Sequence, residues 1–207
     1  MPTAADIAAR IASGLPKVPE NGTRRLVAIV GPPGAGKSTV AEALVGTLGA
    51  ATALVPMDGF HLDNRVLDAR GLRKRKGAPE TFDAAGFVLA MERLRSGEPV
   101  ILPAFDRTRD LAIAGAIDIA AEVRTLVVEG NYLLMEEAPW SRLAALWSTS
   151  VFLDVPRATL RTRLIDRWLT HGLDPDAALA RAEQNDLPNA AVVEKTRTRA
   201  GQVISLG

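Results

Sequence analysis

A chain of 207 residues with 47% apolar and 24% charged side chains fits one α/β domain and gives no case for disorder. A net charge of +1 and an aromatic content of 4% supply neither a basic stripe for nucleic acid or acidic membrane nor stacking platforms for single strands. With no cysteine, disulfides and thiolate metal sites are excluded. The opening MPTAADIAARIASG lacks the basic start and apolar block of a signal peptide, and no apolar run reaches membrane-spanning length, so a soluble cytoplasmic protein is expected.

In chain order, TAADIAARIASG predicts a short amphipathic helix with Thr3 and Asp6 at capping-box spacing and Gly14 at the stop. The punctuated LPKVPENG is a loop, and LVAIV (26–30) reads as a central parallel strand. A helix is expected over 37–48, a strand over TALVPM, a helix over AAGFVLAMERLRSG and a brief extended piece at PVILPAF (99–105). TLVVEG (125–130) and SVFLDVP (150–156) are further strands, and RATLRTRLIDRWLTHG is a helix with Gly172 past its end. Asp174-Pro175 opens the next helix by the N-cap and N1 rule. The tail reads as a helix followed by a short strand at 203–206. Strands alternating with helices imply a doubly wound, five-stranded parallel sheet flanked by helices.

GPPGAGKST (31–39) matches G-x-x-x-x-G-K-[ST] directly after a strand and before a helix, the context that separates this phosphate-binding loop from an ordinary Gly-rich turn. Gly31, Gly34, Ala35 and Gly36 form the loop; the glycines let successive N–H groups face one anion. Lys37 carries a point charge to the β- and γ-phosphates, Ser38 offers a hydroxyl to Mg²⁺, and Thr39 continues into a helix whose positive end faces the phosphates. Neither the guanine-reading N-K-x-D nor the transporter signature L-S-G-G-Q occurs, which leaves transfer to a small acceptor or plain hydrolysis.

Ligands of doubly wound sheets sit outside the carboxyl ends of the strands. Asp58 ends the strand after the loop's helix, so it belongs on the same rim as Lys37, where it can take an acceptor hydroxyl's proton or help hold Mg²⁺; the plainer alternative is a turn cap with Gly59. Glu129 ends an apolar strand and can hold the metal or polarise a metal-bound water, against the alternative of a strand-end acid bonded to the next turn. Asn131 and Tyr132, which follow, are weaker acceptor-side candidates. His61 is either an acceptor contact or a structural histidine after Phe60. Arg163 and Arg167, four apart on one helical face, suit the migrating phosphoryl group under a closing lid, or else pair with surface neighbours such as Asp166. Asn185, Asp186, Pro188 and Asn189 form a turn that either shapes an adenine pocket or caps a helix.

GPPGAGKST, MDGFH, RKGAPETFD, LPAFDRTRD and VVEGNYLL, in that order, resemble the uridine kinase, pantothenate kinase and phosphoribulokinase superfamily, most of all a bacterial branch labelled nucleoside or fructose-transport-system kinase. The likeness runs from about Leu26 to the C-terminus. It implies a P-loop NTPase fold with a helical lid over 157–172, Asp58 as base, and function for Arg163 and Arg167. It also implies that Lys76 and Asp83 lie near the acceptor, and that Phe105, Asp106 and Arg109 match a loop in which a carboxylate and an Arg address ribose hydroxyls and charge at the acceptor. Thr108 stands where the uridine-kinase pattern has His, which argues against a pyrimidine nucleoside.

The expectation is one kinase domain over 1–207, with 1–22 an N-terminal helix and loop. It would use ATP and Mg²⁺ to phosphorylate a hydroxyl of a small metabolite: a sugar such as fructose, a nucleoside or a pantothenate-like acceptor. Nucleic acid and membrane are not expected partners, and a homodimer is left open. The alternative from another class is a nucleotide-dependent regulatory module with slow ATPase activity and a protein partner.

Overall fold

Five short strands pair into one sheet, in which the three central ones are apolar runs buried on both faces and the two edge strands are partly exposed. In the computed structural model, which describes residues 2–207, these are β1 (Arg25–Val30), β2 (Thr52–Pro56), β5 (Thr125–Gly130), β6 (Thr149–Asp154) and β7 (Gln202–Ser205), all parallel in the order β2-β5-β1-β6-β7. Alternation decides which side each residue serves. Leu26, Ala28, Val30, Leu126, Val128 and Phe152 enter one core, whereas Val27, Ile29, Val127, Val151 and Leu153 enter the other.

The second core is covered by α1 (Ala4–Ser13), α2 (Lys37–Leu48), α5 (Arg157–Thr170) and α7 (Leu187–Glu194). The capping box expected at Thr3 and Asp6 is formed in both directions. The first core is covered by α4 (Ala84–Arg95), the 3₁₀ turn at Trp140–Ala145, and an antiparallel hairpin of β3 (Val100–Asp106) and β4 (Leu111–Ile119). Two short helices complete the chain, α3 (Asn64–Ala69) and α6 (Pro175–Arg181), the latter capped by Asp174 and leading into a π turn at Ala182–Asp186.

Three expectations are corrected here. PVILPAF is not an isolated extended piece but the first half of the hairpin, and 111–119, given no element from the sequence, is the second. The tail helix stops at Glu194, short of the stretch expected, because the chain turns into a 3₁₀ turn at Arg197–Arg199 before β7. The six-residue α3 also went unread. No helix among the described residues is long and apolar enough to cross a membrane.

Two close approaches set the hairpin and the strand ends. A side chain at Gly59 would place its Cβ 2.2 Å from the Pro103 carbonyl oxygen, so β3 crosses directly over the turn after β2. A Cβ at Gly130 would lie 2.6 Å from that of Met57, so the β5 and β2 exits press together. At the opposite end of the sheet, Arg24 is 1% exposed and donates to the carbonyls of Val123 (2.8 Å), Leu94 (3.0 Å), Glu98 (2.5 Å) and Ala120 (2.9 Å). One guanidinium thereby joins the end of α4 and the loop before β5 to the start of β1. Arg24→Met keeps the aliphatic stem and strands those carbonyls, so the urea midpoint should fall by an amount equivalent to roughly 2–5 kcal/mol at unchanged slope. A change within experimental error would mean that water replaces the guanidinium.

Candidate active site

Register brings the pieces together. Glu129 pairs with Ile29 on one side and Pro56 on the other, so the exits of β1, β5 and β2 lie side by side. From β1 the chain runs into the Gly31–Thr39 loop, in which Gly34 (φ 81°) and Gly36 (φ 86°) adopt the left-handed conformation. Gly36 caps α2 without a side-chain bond, leaving the first N–H groups of the helix for an anion. From β2 the chain enters a 3₁₀ turn, Met57–Phe60, that carries Asp58.

Lys37 and Asp58 line one cleft of about 420 Å³, shared with Ser38, Glu129, His61 and Arg167. Lys37 is buried and donates to the Pro32 carbonyl at 3.0 Å. Burial pulls its pKa below the ordinary lysine range, against the attraction of Glu129 and Asp58. Glu129 is also buried, and its pKa is pushed up by burial, with the Asp58 charge adding to the effect and Lys37 opposing it. Ser38 Oγ donates to Glu129 Oε1 at 3.1 Å. A hydroxyl and two carboxylates, one of them poorly solvated, form a hard-oxygen donor set that suits Mg²⁺. Arg167 stacks its guanidinium 5.6 Å from the Trp168 ring centre, and burial lowers its pKa.

The predicted residues divide by position. Gly34, Gly36, Lys37, Ser38, Thr39, Asp58, His61, Lys76, Phe105, Glu129 and Arg167 line the cleft. Gly31 and Ala35 lie behind it, buried in the loop. Arg163 turns to the loop itself, donating to the Gly34 carbonyl at 3.2 Å, and does not line the cleft. Four residues expected at the acceptor are elsewhere. Asp83 caps α4 through the Gly86 N–H (2.9 Å). Tyr132 is fully buried, packed near Phe82 and Trp140, and its hydroxyl donates to the Gly77 carbonyl at 2.5 Å. Asp106 accepts from the N–H groups of Thr108 (2.9 Å) and Arg109 (3.0 Å), folding the hairpin turn, and Arg109 points to solvent beside it, 71% exposed.

Sequence reasoning passed over several cleft residues. Arg107 Nη2 donates to Asp58 Oδ2 at 3.3 Å. Asp110, left-handed at φ 55° without being glycine, is held by the Lys76 ammonium (2.8 Å) and by Asn64 Nδ2 (2.9 Å). The buried Lys76 also bonds Asn64 Oδ1 at 2.7 Å, so its charge is spent on pinning the hairpin tip. Trp168 donates to Asp186 at 2.5 Å, and Asn185 and Arg181 both donate to the Lys76 carbonyl at 3.0 Å. Residues 185–189, expected as a turn, are helical, running from the π turn into α7, and they serve the basic 73–76 loop as well as the cleft wall, to which Asp186 and Asn189 contribute. His61 lies between Phe82 (4.0 Å) and Phe105 (4.6 Å), with Nδ1 2.8 Å from the Asp58 carbonyl oxygen. A carbonyl can only accept, so Nδ1 carries the proton and Nε2 keeps a lone pair.

A family model described as an AAA domain matches residues 26–188. The uncharacterized protein YggC of Escherichia coli is 35% identical over 188 residues, 88% of this chain and 78% of that protein. A candidate uridine kinase of Schizosaccharomyces pombe is 35% identical over 189 residues, 83% of this chain and 79% of that protein. The crystal structure of a candidate fructose transport system kinase from Silicibacter sp. TM1040 superposes with a TM-score of 0.87 at 48% identity, covering 99% of this chain and 100% of that one.

Two measurements probe this geometry. Gly59→Ala must push β3 away from the Asp58 turn, so turnover should fall by about 10²-fold, as expected for a misplacement near 1 Å, while the far-ultraviolet spectrum stays native. Full activity would show that the turn and hairpin can separate at no cost. Burial lowers the pKa of His61 below 6.5 despite the attraction of Asp58, so the folded protein resists a proton that the unfolded chain accepts. Stability should therefore decline as pH falls below about 6.5 and through the folded value, and His61→Gln should remove that part of the slope in urea unfolding between pH 7 and 5.

Proposed function

This chain belongs to the P-loop kinases of the uridine kinase, pantothenate kinase and fructose-transport-system kinase superfamily, and on that premise we propose that its cleft brings the γ-phosphate of ATP to a hydroxyl of a small metabolite. Kinases of this family transfer phosphate to hydroxylated small metabolites, and the chain is an ATP-dependent phosphotransferase with an alcohol acceptor. The observation that carries the assignment of residues is the shared cleft of Asp58 and Lys37, which follow β2 and β1 on either side of β5.

In this reading the loop N–H groups and the α2 N-terminus cradle the phosphates, and Lys37 lies against the β- and γ-phosphates. Arg163 fixes the loop through the Gly34 carbonyl, and Arg167 faces the charge that develops on the migrating group. Ser38 and Glu129, with Asp58 beside them, are the residues that would hold Mg²⁺. Bound there, the ion would supply positive charge to offset that of the phosphates. Asp58 takes the hydroxyl proton as the acceptor oxygen attacks. His61 Nε2 accepts a hydrogen bond from a second hydroxyl, and Phe82 and Phe105 supply apolar walls. The region 157–172 acts as a lid that keeps water from the phosphoryl group. The acceptor classes are a sugar, a nucleoside or a pantothenate-like molecule; the named relatives point to the first two.

The test is ADP release with ATP and Mg²⁺ while candidate acceptors are titrated. One hydroxylated metabolite should stimulate it, whereas stimulation only by a protein would replace the kinase reading with that of a regulatory module. Asp58→Asn should lower kcat by about 10²–10⁴-fold with ATP affinity little altered. Unchanged turnover in that variant would remove Asp58 from the base position.

A further inference from the structure

The charges around the acceptor end of the cleft are nearly all committed. Lys76 is neutralised by Asp110 at 2.8 Å and bonded to Asn64. Arg181 donates to the carbonyls of Lys74 (2.8 Å) and Lys76 (3.0 Å). Lys37 lies within the P-loop, bonded to the Pro32 carbonyl and attracted by Glu129 and, less, by Asp58, with neither of which it forms an ion pair. Arg107 alone is paired with a carboxylate that the reaction requires for another purpose. Its Nη2 lies 3.3 Å from Asp58 Oδ2, and no other carboxylate among the described residues pairs with it.

That pairing conflicts with catalysis. An oxygen that accepts from a guanidinium has one lone pair fewer for an incoming hydroxyl, and both groups line the same cleft. Two features make an exchange of partners easy. The pair is open to solvent, with Arg107 53% and Asp58 29% exposed, so releasing it costs little. The backbone that carries Arg107 is held from both sides, by Asp106 bonded to the N–H groups of Thr108 and Arg109, and by Asp110 pinned to Lys76 and Asn64. The guanidinium is thus presented into the cleft by a fixed turn, a poor arrangement for a merely solvated side chain and a good one for reading a ligand.

We infer that Arg107 is a specificity-determining residue that binds an anionic group of the acceptor, so that the preferred substrate is a hydroxylated anion, a carboxylate or a phosphate ester, whose negative charge takes Arg107 from Asp58 as its hydroxyl takes Asp58. A planar guanidinium meets either anion through two N–H groups, and a neutral acceptor leaves the Asp58–Arg107 pair in place. Discrimination therefore comes from the pair that a neutral competitor fails to open as well as from the contact the anion gains. The inference rests on Asp58 being the base.

The experiment compares matched acceptors with ATP and Mg²⁺: glycerate against glycerol, pantothenate against pantothenol, and fructose 6-phosphate against fructose, with uridine as a neutral nucleoside. The ratio of kcat/KM, charged over neutral, should be about 10²-fold or more for the wild type in the pair containing the best acceptor. Which pair shows it separates a carboxylate from a phosphate ester. In Arg107→Gln that ratio should fall to within about threefold of unity, mainly through KM for the anion, and Arg107→Lys should recover part of it. A neutral compound as the best wild-type acceptor, or an equal loss for both members of the pair in Arg107→Gln, would overturn the inference and leave the kinase reading standing. No turnover with any compound, in protein shown to bind ATP, would instead sink the kinase reading and this inference with it.

Discussion

Lys37 and Glu129 are opposite charges buried at the end of an apolar sheet, and the rest of the site answers to that constraint. Each is penalised by the loss of water, which lowers the pKa of one and raises that of the other, and their mutual attraction only partly offsets it. Neither has a full set of hydrogen-bond partners in the protein: Lys37 has the Pro32 carbonyl and Glu129 the Ser38 hydroxyl. In the proposed reading a polyphosphate and a divalent cation would supply what is missing, anion to ammonium and cation to carboxylate. Ligands that relieve this desolvation penalty would bind the more tightly for it.

Holding that pair in place requires tight backbone contacts, which explains residues that have no chemistry of their own. Gly130 lets the exit of β5 press against Met57, and Gly59 lets the hairpin cross the Asp58 turn. Larger residues would separate Asp58 from Ser38 and Glu129 or lift the hairpin away from all three. The hairpin edge is secured at its tip by Asp110 in a backbone conformation that costs energy, and Lys76 and Asn64 compensate by bonding it.

The sheet was legible because its strands are continuous apolar runs, and the loop because its spacing reflects the shape of a phosphate. The hairpin was not, for a physical reason: of LAIAGAIDI only Ile119 is buried, so no alternation marks it, and its turn reaches positive φ at an aspartate rather than at glycine or asparagine. That missed turn misdirected the reading of FDRTRD. Without it, Asp106 and Arg109 look as available as Arg107; with it, Asp106 folds the turn, Arg109 faces water and Arg107 faces Asp58. Tyr132 failed by one position, since Asn131 reaches the cleft and the next residue enters the core. Asp83 was readable as an N-cap, because the helix it opens had been located.

In the proposed reading the donor and acceptor sites are built on different parts of the chain, and their separation must be held closely, because an error of about 1 Å between reacting atoms can cost 10²-fold in rate. A continuous run of side-chain contacts spans them. Arg163 ties α5 to the loop at Gly34; one turn further along α5, Trp168 is bonded to Asp186 in the π turn; the adjacent Asn185 is bonded to the Lys76 carbonyl; and the Lys76 ammonium holds Asp110 at the hairpin tip. Spatial continuity alone would not establish a signalling route, and none is needed. What these contacts do is spacing. The π turn adds one residue to a helical turn, and that extra residue sets Asn185 and Asp186 so that one bonds the acceptor loop while the other bonds the lid helix. Through these two bonds α5 and the 73–76 loop are held to a common support.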